Sequence, residues 1–238
     1  MRRLRLSSRA GWTEGAGLLP LTLAAALAVA VLSLAGCSSR EQLNPALRLE
    51  NEQYERAVER GRSLLAAGAD PYQAYTCAHQ ANQWVTSDVI VQDAVCCWPA
   101  DEVAFAIVQQ GDSSPTAVER AARQARSQVE REIKFSVVLQ IPKSMDPSNV
   151  GFQMRSSAGS TYPPTAVDTP VYLRDVTTAL DPSLGPAALY GYDVHFPIQG
   201  SPGYPAIGTG VSSLSLIIKV GDKEVSVPFT IPRKPYRY

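Results

Sequence analysis

The stretch VSSLSLIIKVGDKEVSVPFTI, residues 211–231, decides the fold class of this chain. Apolar and polar side chains alternate on both sides of its central Gly-Asp dipeptide, which is typical of a β-hairpin with a two-residue turn. Such a turn places Ile218 opposite Val225 on an apolar face, and Lys219 opposite Glu224 as an ion pair on the other face. A slip by one residue would reverse every side chain, and we therefore predict this register.

A β-sandwich is indicated by the segments around this hairpin. Pro228 lacks a backbone N–H, which predicts an edge strand or a bulge. Further strands are predicted upstream, each bounded by turn-forming residues, at 133–141, 150–155, 171–176 and 189–198. About six short antiparallel strands within roughly 100 residues are typical of a sandwich of immunoglobulin-like size. The Cys-Trp-Cys pattern of true immunoglobulin domains is absent from this part of the sequence.

Helices are expected before the β-rich part. Residues 45–67 carry apolar side chains at near-helical spacing among charged ones, and glycine and proline follow them. Ser114 and Pro115 are typical of a helix start, and the apolar stripe of that helix is expected to continue to Ile133. Between these two segments, residues 101–110 are expected to form a short helix closed by a glycine.

A change in composition divides the chain near Lys134, because every lysine lies at or beyond this position. We therefore predict an α+β protein with a helical region over residues 45–133 and an antiparallel β-sandwich domain over residues 134–232. A basic aromatic tail over residues 233–238 completes the chain. Within the helical region, residues 89–91 are expected to form a strand or a buried turn.

The N-terminus has the layout of a secretory signal. Four arginines lie within its first nine residues, and residues 18–34 carry no charge and are rich in leucine, alanine and valine. The alternative is an uncleaved membrane span, since about 17 apolar residues are the lower limit for crossing a bilayer.

The apolar run ends in Leu34-Ala35-Gly36-Cys37, which resembles the lipobox of bacterial lipoproteins. The resemblance implies a cleaved signal peptide over residues 1–36, an acylated Cys37 inserted into membrane lipid, and a lipidated tether over residues 37–44. In this class, a serine such as Ser38 after the cysteine favours the outer membrane, facing the periplasm, if the host is Gram-negative. We therefore expect a membrane-anchored, extracytoplasmic lipoprotein of the cell envelope.

The charge of the mature chain argues against nucleic-acid binding. Removal of residues 1–36 leaves 18 of the 22 basic residues and 21 of the 22 acidic residues, so the net charge is −3. A nucleic-acid-binding domain is typically basic on at least one face. We expect no nucleic-acid partner.

Three further cysteines lie in the helical region. In an oxidising compartment, we predict a disulfide from Cys77 to either Cys96 or Cys97, which would stabilise the fold by about 3 kcal/mol. A second hypothesis treats Cys77, His79, Cys96 and Cys97 as ligands of copper(I) or zinc. Adjacent cysteines are poorly placed to bind one ion, and no C-x-x-C spacing is present. We therefore expect no metal or other cofactor.

Motifs of common hydrolases and nucleotide-binding enzymes are absent, and the chain has only two histidines. A hydrolytic site would have to be assembled from dispersed groups, for example the carboxylates of Asp168, Asp175, Asp181 and Asp193. His195 is expected to be a surface residue on its strand. The sequence favours a protein without catalytic activity.

Candidate binding residues lie on the proline-rich connections, where Tyr162 and Tyr204 add aromatic side chains to polar loops. We predict a non-catalytic lipoprotein that binds or scaffolds another envelope protein or polymer. The alternative is an envelope hydrolase or a metal-handling protein. A hydrolase requires a deep pocket with converging polar groups, whereas a scaffold protein exposes a flat or aromatic patch.

Overall fold

The structure is a computed structural model, and it describes residues 42–176, 186–200 and 205–232. In this part of the chain the helices are α1 (Asn51–Ala66), α2 (Pro99–Gln110) and α3 (Pro115–Val129). The strands are β1 (Gln83–Trp84), β2 (Ile90–Cys97), β3 (Glu132–Pro142), β4 (Val150–Ser156), β5 (Thr161–Tyr162), β6 (Ala166–Val167), β7 (Val171–Val176), β8 (Ala187–Pro197), β9 (Ser213–Val220) and β10 (Lys223–Thr230). The predicted α+β class is confirmed.

Two antiparallel sheets organise these strands. The first sheet has the order β1-β2-β3-β8-β6, and β7 pairs with β8 at the same edge as β6. The second sheet has the order β10-β9-β4-β5. The predicted strands at residues 133–141, 150–155, 171–176 and 189–198 correspond to β3, β4, β7 and β8.

The hairpin of β9 and β10 has the predicted register. Ile218 pairs with Val225, and Lys219 pairs with Glu224, with 3.3 Å between the ammonium nitrogen and a carboxylate oxygen. Pro228 lies in β10, which is an edge strand of the second sheet. Both predictions are therefore confirmed, because apolar alternation and turn chemistry are local properties.

Aromatic side chains join the two sheets through a shared core. The ring of Phe135 on β3 lies 5.6 Å from that of Phe196 on β8 and 5.3 Å from that of Phe229 on β10. The ring of Phe152 on β4 lies 5.4 Å from that of Tyr192 on β8. The sheets thus bury one face each against the other, an arrangement compatible with the predicted sandwich.

Local signals set the helix limits. Helix α1 begins at Asn51 rather than near Pro45, because Pro45–Leu47 form a separate 3-10 turn and a capping box precedes Asn51. Helix α2 ends at Gly111, whose φ is 73°. The buried stripe of α3 is as predicted except for its end, since Ile133 belongs to β3.

The predicted helical region over residues 45–133 is not purely helical. Strand β2 lies within it and pairs with β3 along most of its length, for example Ala94 with Val137. Within residues 89–91, expected as a strand or a buried turn, Ile90 and Val91 belong to β2. By its backbone contacts the chain from Glu41 to Tyr238 is one compact unit. The first sheet spans residue 134, and the strands on both sides of this position share one core with the helices.

The start of the described chain is fixed to the end of the second sheet. The side-chain amide of Asn44 donates to the carbonyl oxygen of Val211 at 2.9 Å, and its backbone N–H donates to that of Ile207 at 3.0 Å. The backbone N–H of Thr209 donates to the carbonyl of Gln42 at 2.9 Å. If Cys37 is lipidated, only about five residues separate the anchor from the folded body, a reach of roughly 17 Å.

A close approach of α1 and α2 depends on Gly61. A Cβ at this position would lie 2.9 Å from Cβ of Ile107 and 3.2 Å from Cα of Ala104. We expect Gly61→Val to lower the free energy of unfolding by about 2 kcal/mol, because overpacking outweighs the small gain in helix propensity. Urea unfolding followed by circular dichroism measures this change. Gly151→Val is the control, since its Cβ would meet Lys219 at an ordinary 3.6 Å; an equal loss in both variants would contradict the steric explanation.

Candidate functional site

The outer face of the first sheet, which points away from the second sheet, carries a groove of about 210 Å³. We call it the outer groove. It crosses the strands from β2 to β7 and is lined by Tyr72, Asp93, Val95, Ser136, Val138, Asp168, Thr169, Val171, Leu173, Gly191, Tyr192 and Asp193.

One row of lining residues follows directly from strand register. Asp93 on β2 pairs with Val138 on β3, Val138 pairs with Gly191 on β8, and Gly191 pairs with Val171 on β7. Directly paired residues share a face of an antiparallel sheet. Because Gly191 has no side chain, the surface is depressed at the middle of this row, and this position forms part of the groove floor.

The neighbouring row carries most of the polar groups. Val95 pairs with Ser136, and Ser136 pairs with Asp193. The backbone N–H of Asp168 donates to the carbonyl of Asp193 at 2.9 Å, which continues the pairing of β6 with β8. Asp168 and Asp193 therefore lie opposite each other on neighbouring strands, and both line the outer groove.

The rim of the outer groove is apolar and exposed. Tyr72 and Val171 are each 59% exposed, and Leu173 is 49% exposed. The side chain of Leu173 reaches back over the floor, where its methyl groups lie 3.8 Å from the position that a Cβ on Gly191 would take. Exposed apolar groups around a polar floor are typical of a binding surface.

Tyr72 is held at one end of the groove by an aromatic cluster. Its ring lies 5.7 Å from that of Phe105 on α2, and the ring of Phe105 stacks on that of Tyr75 at 5.1 Å. The turn that carries Tyr72 begins at Asp70, whose carboxylate accepts the backbone N–H of Tyr72 at 2.9 Å. These contacts give the rim a defined position although the Tyr72 ring itself is exposed.

Asp101 fixes this turn to the helices. Its fully buried carboxylate accepts hydrogen bonds from Arg60 on α1 at 2.9 Å, and from the backbone N–H and hydroxyl of Thr76 at 3.0 and 2.8 Å. Burial raises the pKa of Asp101, and the hydrogen bonds from Thr76 and the charge of Arg60 oppose that rise. The aromatic cluster thus rests on a buried ion pair between two helices.

Lys134 lies next to the groove in the following row of the sheet. Its ammonium nitrogen is 3.1 Å from the carboxylate of Glu102 and 3.6 Å from that of Asp193. The hydroxyl of Tyr75 also donates to Glu102 at 2.8 Å. Burial lowers the pKa of Lys134, but the neighbouring acidic groups, with Glu102 foremost and Asp193 among them, together outweigh it and the pKa is raised. Lys134 is therefore charged at every physiological pH.

The carboxylates of the outer groove are only partly neutralised by nearby basic side chains. The His79 ring contacts Asp93 at 2.8 Å, whereas the His195 ring lies 3.8 Å from Asp168. In the described ranges, neither Asp168 nor Asp193 accepts a side-chain hydrogen bond. A carboxylate has acceptor capacity for about four hydrogen bonds, so both retain free capacity toward a ligand.

No family model, curated protein or solved structure matches this chain. Among residues 42–176, 186–200 and 205–232, no helix is both long and apolar enough to cross a bilayer. The predicted signal peptide over residues 1–36, Cys37 and residues 38–41 of the predicted tether lie outside the described residues.

The predicted disulfide is not formed, since Cys77, Cys96 and Cys97 are all free thiols. Cys96 points into the core between the sheets, whereas Cys97 points to the outer face beneath Tyr75. The sulfur of Cys77 accepts the backbone N–H of Cys96 at 3.2 Å. Burial raises the pKa of all three thiols, that of Cys77 to about 11. The three thiols are therefore protonated and unreactive at neutral pH.

The suggested metal site is not assembled either. Within the part of the chain that the structure describes, no group of three or more histidine, cysteine or acidic side chains is placed to hold a metal ion. Cys96 and Cys97 lie on opposite faces of β2, because neighbouring side chains in a strand alternate. The His79 ring contacts Asp93 instead of a thiol.

Tyr162, one of the two predicted binding tyrosines, does not line the outer groove. Tyr162 is partly buried against the shared core and pairs with Met154 on the second sheet. Tyr204 and the tail over residues 233–238 lie outside the described residues. Of the dispersed acids, Asp168 and Asp193 both line the outer groove. His195 is partly buried, 3.2 Å from Glu132 and 3.8 Å from Asp168. Asp175 is instead in an exposed pair with Lys143, and Asp181 is not described.

Tyr72, Asp93, Val171 and Leu173 are among the groove residues that were not predicted as site residues from the sequence. A signal existed for two of them, because Val171 and Leu173 lie in a predicted strand with apolar side chains at alternate positions. Tyr72 and Asp93 reach the groove through tertiary packing, so no local pattern marks them.

Proposed function

We propose that this protein is a lipid-anchored, non-catalytic binding protein of the cell envelope, and that the outer groove is its ligand surface. The β-sandwich of immunoglobulin-like size acts as the rigid support of that surface. The anchor is Cys37, and the host compartment is the outer membrane facing the periplasm if the host is Gram-negative. The ligand is an envelope protein or polymer.

The observation that carries this proposal is the exposed apolar rim around a carboxylate floor. Soluble monomers rarely leave aromatic and aliphatic side chains such as Tyr72, Val171 and Leu173 exposed together unless something binds there. The rim belongs to strands and to a braced turn, so the surface exists before any ligand arrives. Preorganised surfaces lose little entropy on binding.

The dimensions of the groove favour binding over catalysis. Its volume of about 210 Å³ is below the roughly 300–1,000 Å³ of ordinary small-molecule sites. Each groove carboxylate lies near a basic side chain, and within the described residues no serine or cysteine hydrogen-bonds to a histidine there. An extended partner that lays one or two side chains in the groove fits this shape.

Site-specific photo-crosslinking in native membranes tests the proposal. We expect benzoylphenylalanine at position 72 to give a defined adduct, because this position lies on the rim. The same group at Ser226, which is exposed on the opposite sheet, is the positional control. Equal adducts from both positions, or none from position 72, would contradict the proposed ligand surface.

A substitution whose side chain fills the floor of the outer groove provides the second part of this test. Gly191→Val is expected to reduce the adduct at position 72 several-fold, because its side chain occupies the groove. A Cβ at Gly191 meets only Leu173 at an ordinary 3.8 Å, so the fold tolerates the change. The matched control is Gly151→Val on the second sheet, which should leave the adduct unchanged.

A further inference from the structure

We propose that the outer groove binds a lysine or arginine side chain from an extended segment of a partner polypeptide. This inference rests on the proposed function and names the chemistry of its ligand. Asp168 and Asp193 lie opposite each other on neighbouring strands. Like charges in such positions destabilise a sheet, and within the described residues neither carboxylate accepts a hydrogen bond from a side chain.

Charge complementarity defines the partner. In the part of the chain that the structure describes, the lining of the outer groove contains three carboxylates and no lysine or arginine. The three carboxylates belong to Asp93, Asp168 and Asp193. The nearest basic groups are Lys134, 3.6 Å from Asp193, and His195, 3.8 Å from Asp168, and Lys134 lies closer to Glu102 at 3.1 Å. A cationic ligand would therefore complete the neutralisation of this pair of carboxylates.

The walls of the groove favour a long amphipathic side chain over a small cation. Val95, Val138 and Leu173 line the path toward the carboxylates. Lysine and arginine bury their methylene stems along apolar surface while the charged end remains polar. The exposed ring of Tyr72 adds a surface on which a guanidinium group can stack. An inorganic cation would use the carboxylates and leave these walls empty.

Fluorescence anisotropy with a defined peptide tests this inference on the mature lipidated protein in detergent micelles. The probe is fluorescein-labelled acetyl-Arg-Leu-Arg-Leu-Arg-Leu, and the reference peptide carries neutral citrulline in place of each arginine. We expect the arginine peptide to bind at least about tenfold more tightly, since hydrogen bonds to charged groups are the strong ones. Equal affinities for the two peptides would overturn the inference.

Two double variants assign the effect to the groove. Asp168→Asn with Asp193→Asn should remove the preference for arginine, whereas Glu119→Gln with Asp222→Asn removes two exposed carboxylates elsewhere and should change affinity less than about twofold. Equal losses in both variants would show non-specific attraction and overturn the proposal. The photo-crosslinked adduct at position 72 distinguishes the two proposals. If this adduct is undiminished in the Asp168/Asp193 variant, the proposed binding function stands, but the inference of a cationic ligand fails.

Other occupants are outcomes of the same experiment. The basic tail over residues 233–238 is one of them, and a chain that ends at Pro232 reports on it. An increase in peptide affinity after this truncation would identify the tail as the resident cation and overturn the assignment to a partner. Saturable calcium binding lost in the Asp168/Asp193 variant would assign the groove to a metal ion, with the same consequence. Unchanged peptide affinity and no calcium binding support the proposal.

Discussion

Cys37→Ser is expected to move nearly all of the protein from the membrane fraction to the soluble fraction. The resemblance to lipoproteins implies two or more acyl chains at this residue, and each buried methylene contributes about 0.8 kcal/mol of membrane affinity. Serine cannot form the thioether, so the anchor is lost completely. Ultracentrifugation followed by immunoblotting measures the distribution, and a shift in precursor size reports on cleavage before residue 37.

The matched control for this prediction is Cys77→Ser. This second cysteine is partly buried in the folded unit and lies far from the lipobox in sequence, so its substitution should leave the membrane fraction unchanged. Retention of the Cys37→Ser protein in membranes would show that the apolar segment over residues 18–34 is an uncleaved span. The proposed lipid anchor would then be wrong, while the outer groove would be unaffected.

Asp101→Ala is expected to lower the free energy of unfolding by about 3 kcal/mol. Removal of one partner from a buried ion pair typically costs about 3–5 kcal/mol, and Arg60 retains some exposure that reduces this penalty. The alanine also leaves the backbone N–H and hydroxyl of Thr76 without this acceptor. Urea unfolding followed by tryptophan fluorescence measures the change.

Glu119→Ala is the control for the Asp101 prediction. Its carboxylate forms an ion pair with Arg123 within α3 while the side chain is 59% exposed, and exposed pairs contribute little. We expect a change below about 0.5 kcal/mol. If Asp101→Ala were no more destabilising than this control, the buried carboxylate would not brace the turn that carries Tyr72.

The elements that could be predicted are those whose signals are local. The register of Ile218 with Val225 follows from period-two alternation and a Gly-Asp turn that lie within 21 residues of each other. The stripe of α3 and the closure of α2 at Gly111 likewise depend on neighbours three or four positions away. In each case the chain needs no distant contact to select the conformation.

The region around the cysteines shows the opposite situation. The expected disulfide and metal site assumed that residues close in sequence converge in space. Strand β2 separates Cys96 from Cys97 because alternate side chains point to opposite faces. Strand β2 forms because it pairs with β3, for example Val95 with Ser136. No local pattern in residues 72–97 predicts this pairing. The same pairing of β2 with β3 places one sheet across residue 134.

The sequence alone determined the α+β class, the hairpin register and the resemblance that implies a lipid anchor, because each is encoded in neighbouring residues. Tertiary structure alone decided the outer groove. Its two rows combine β2, β3, β8 and the strands beyond β8, which bring Asp93 within one cavity with Asp168 and Asp193. Strand order across a sheet depends on how the whole core is buried, and a surface built from that order becomes visible only when the chain has folded.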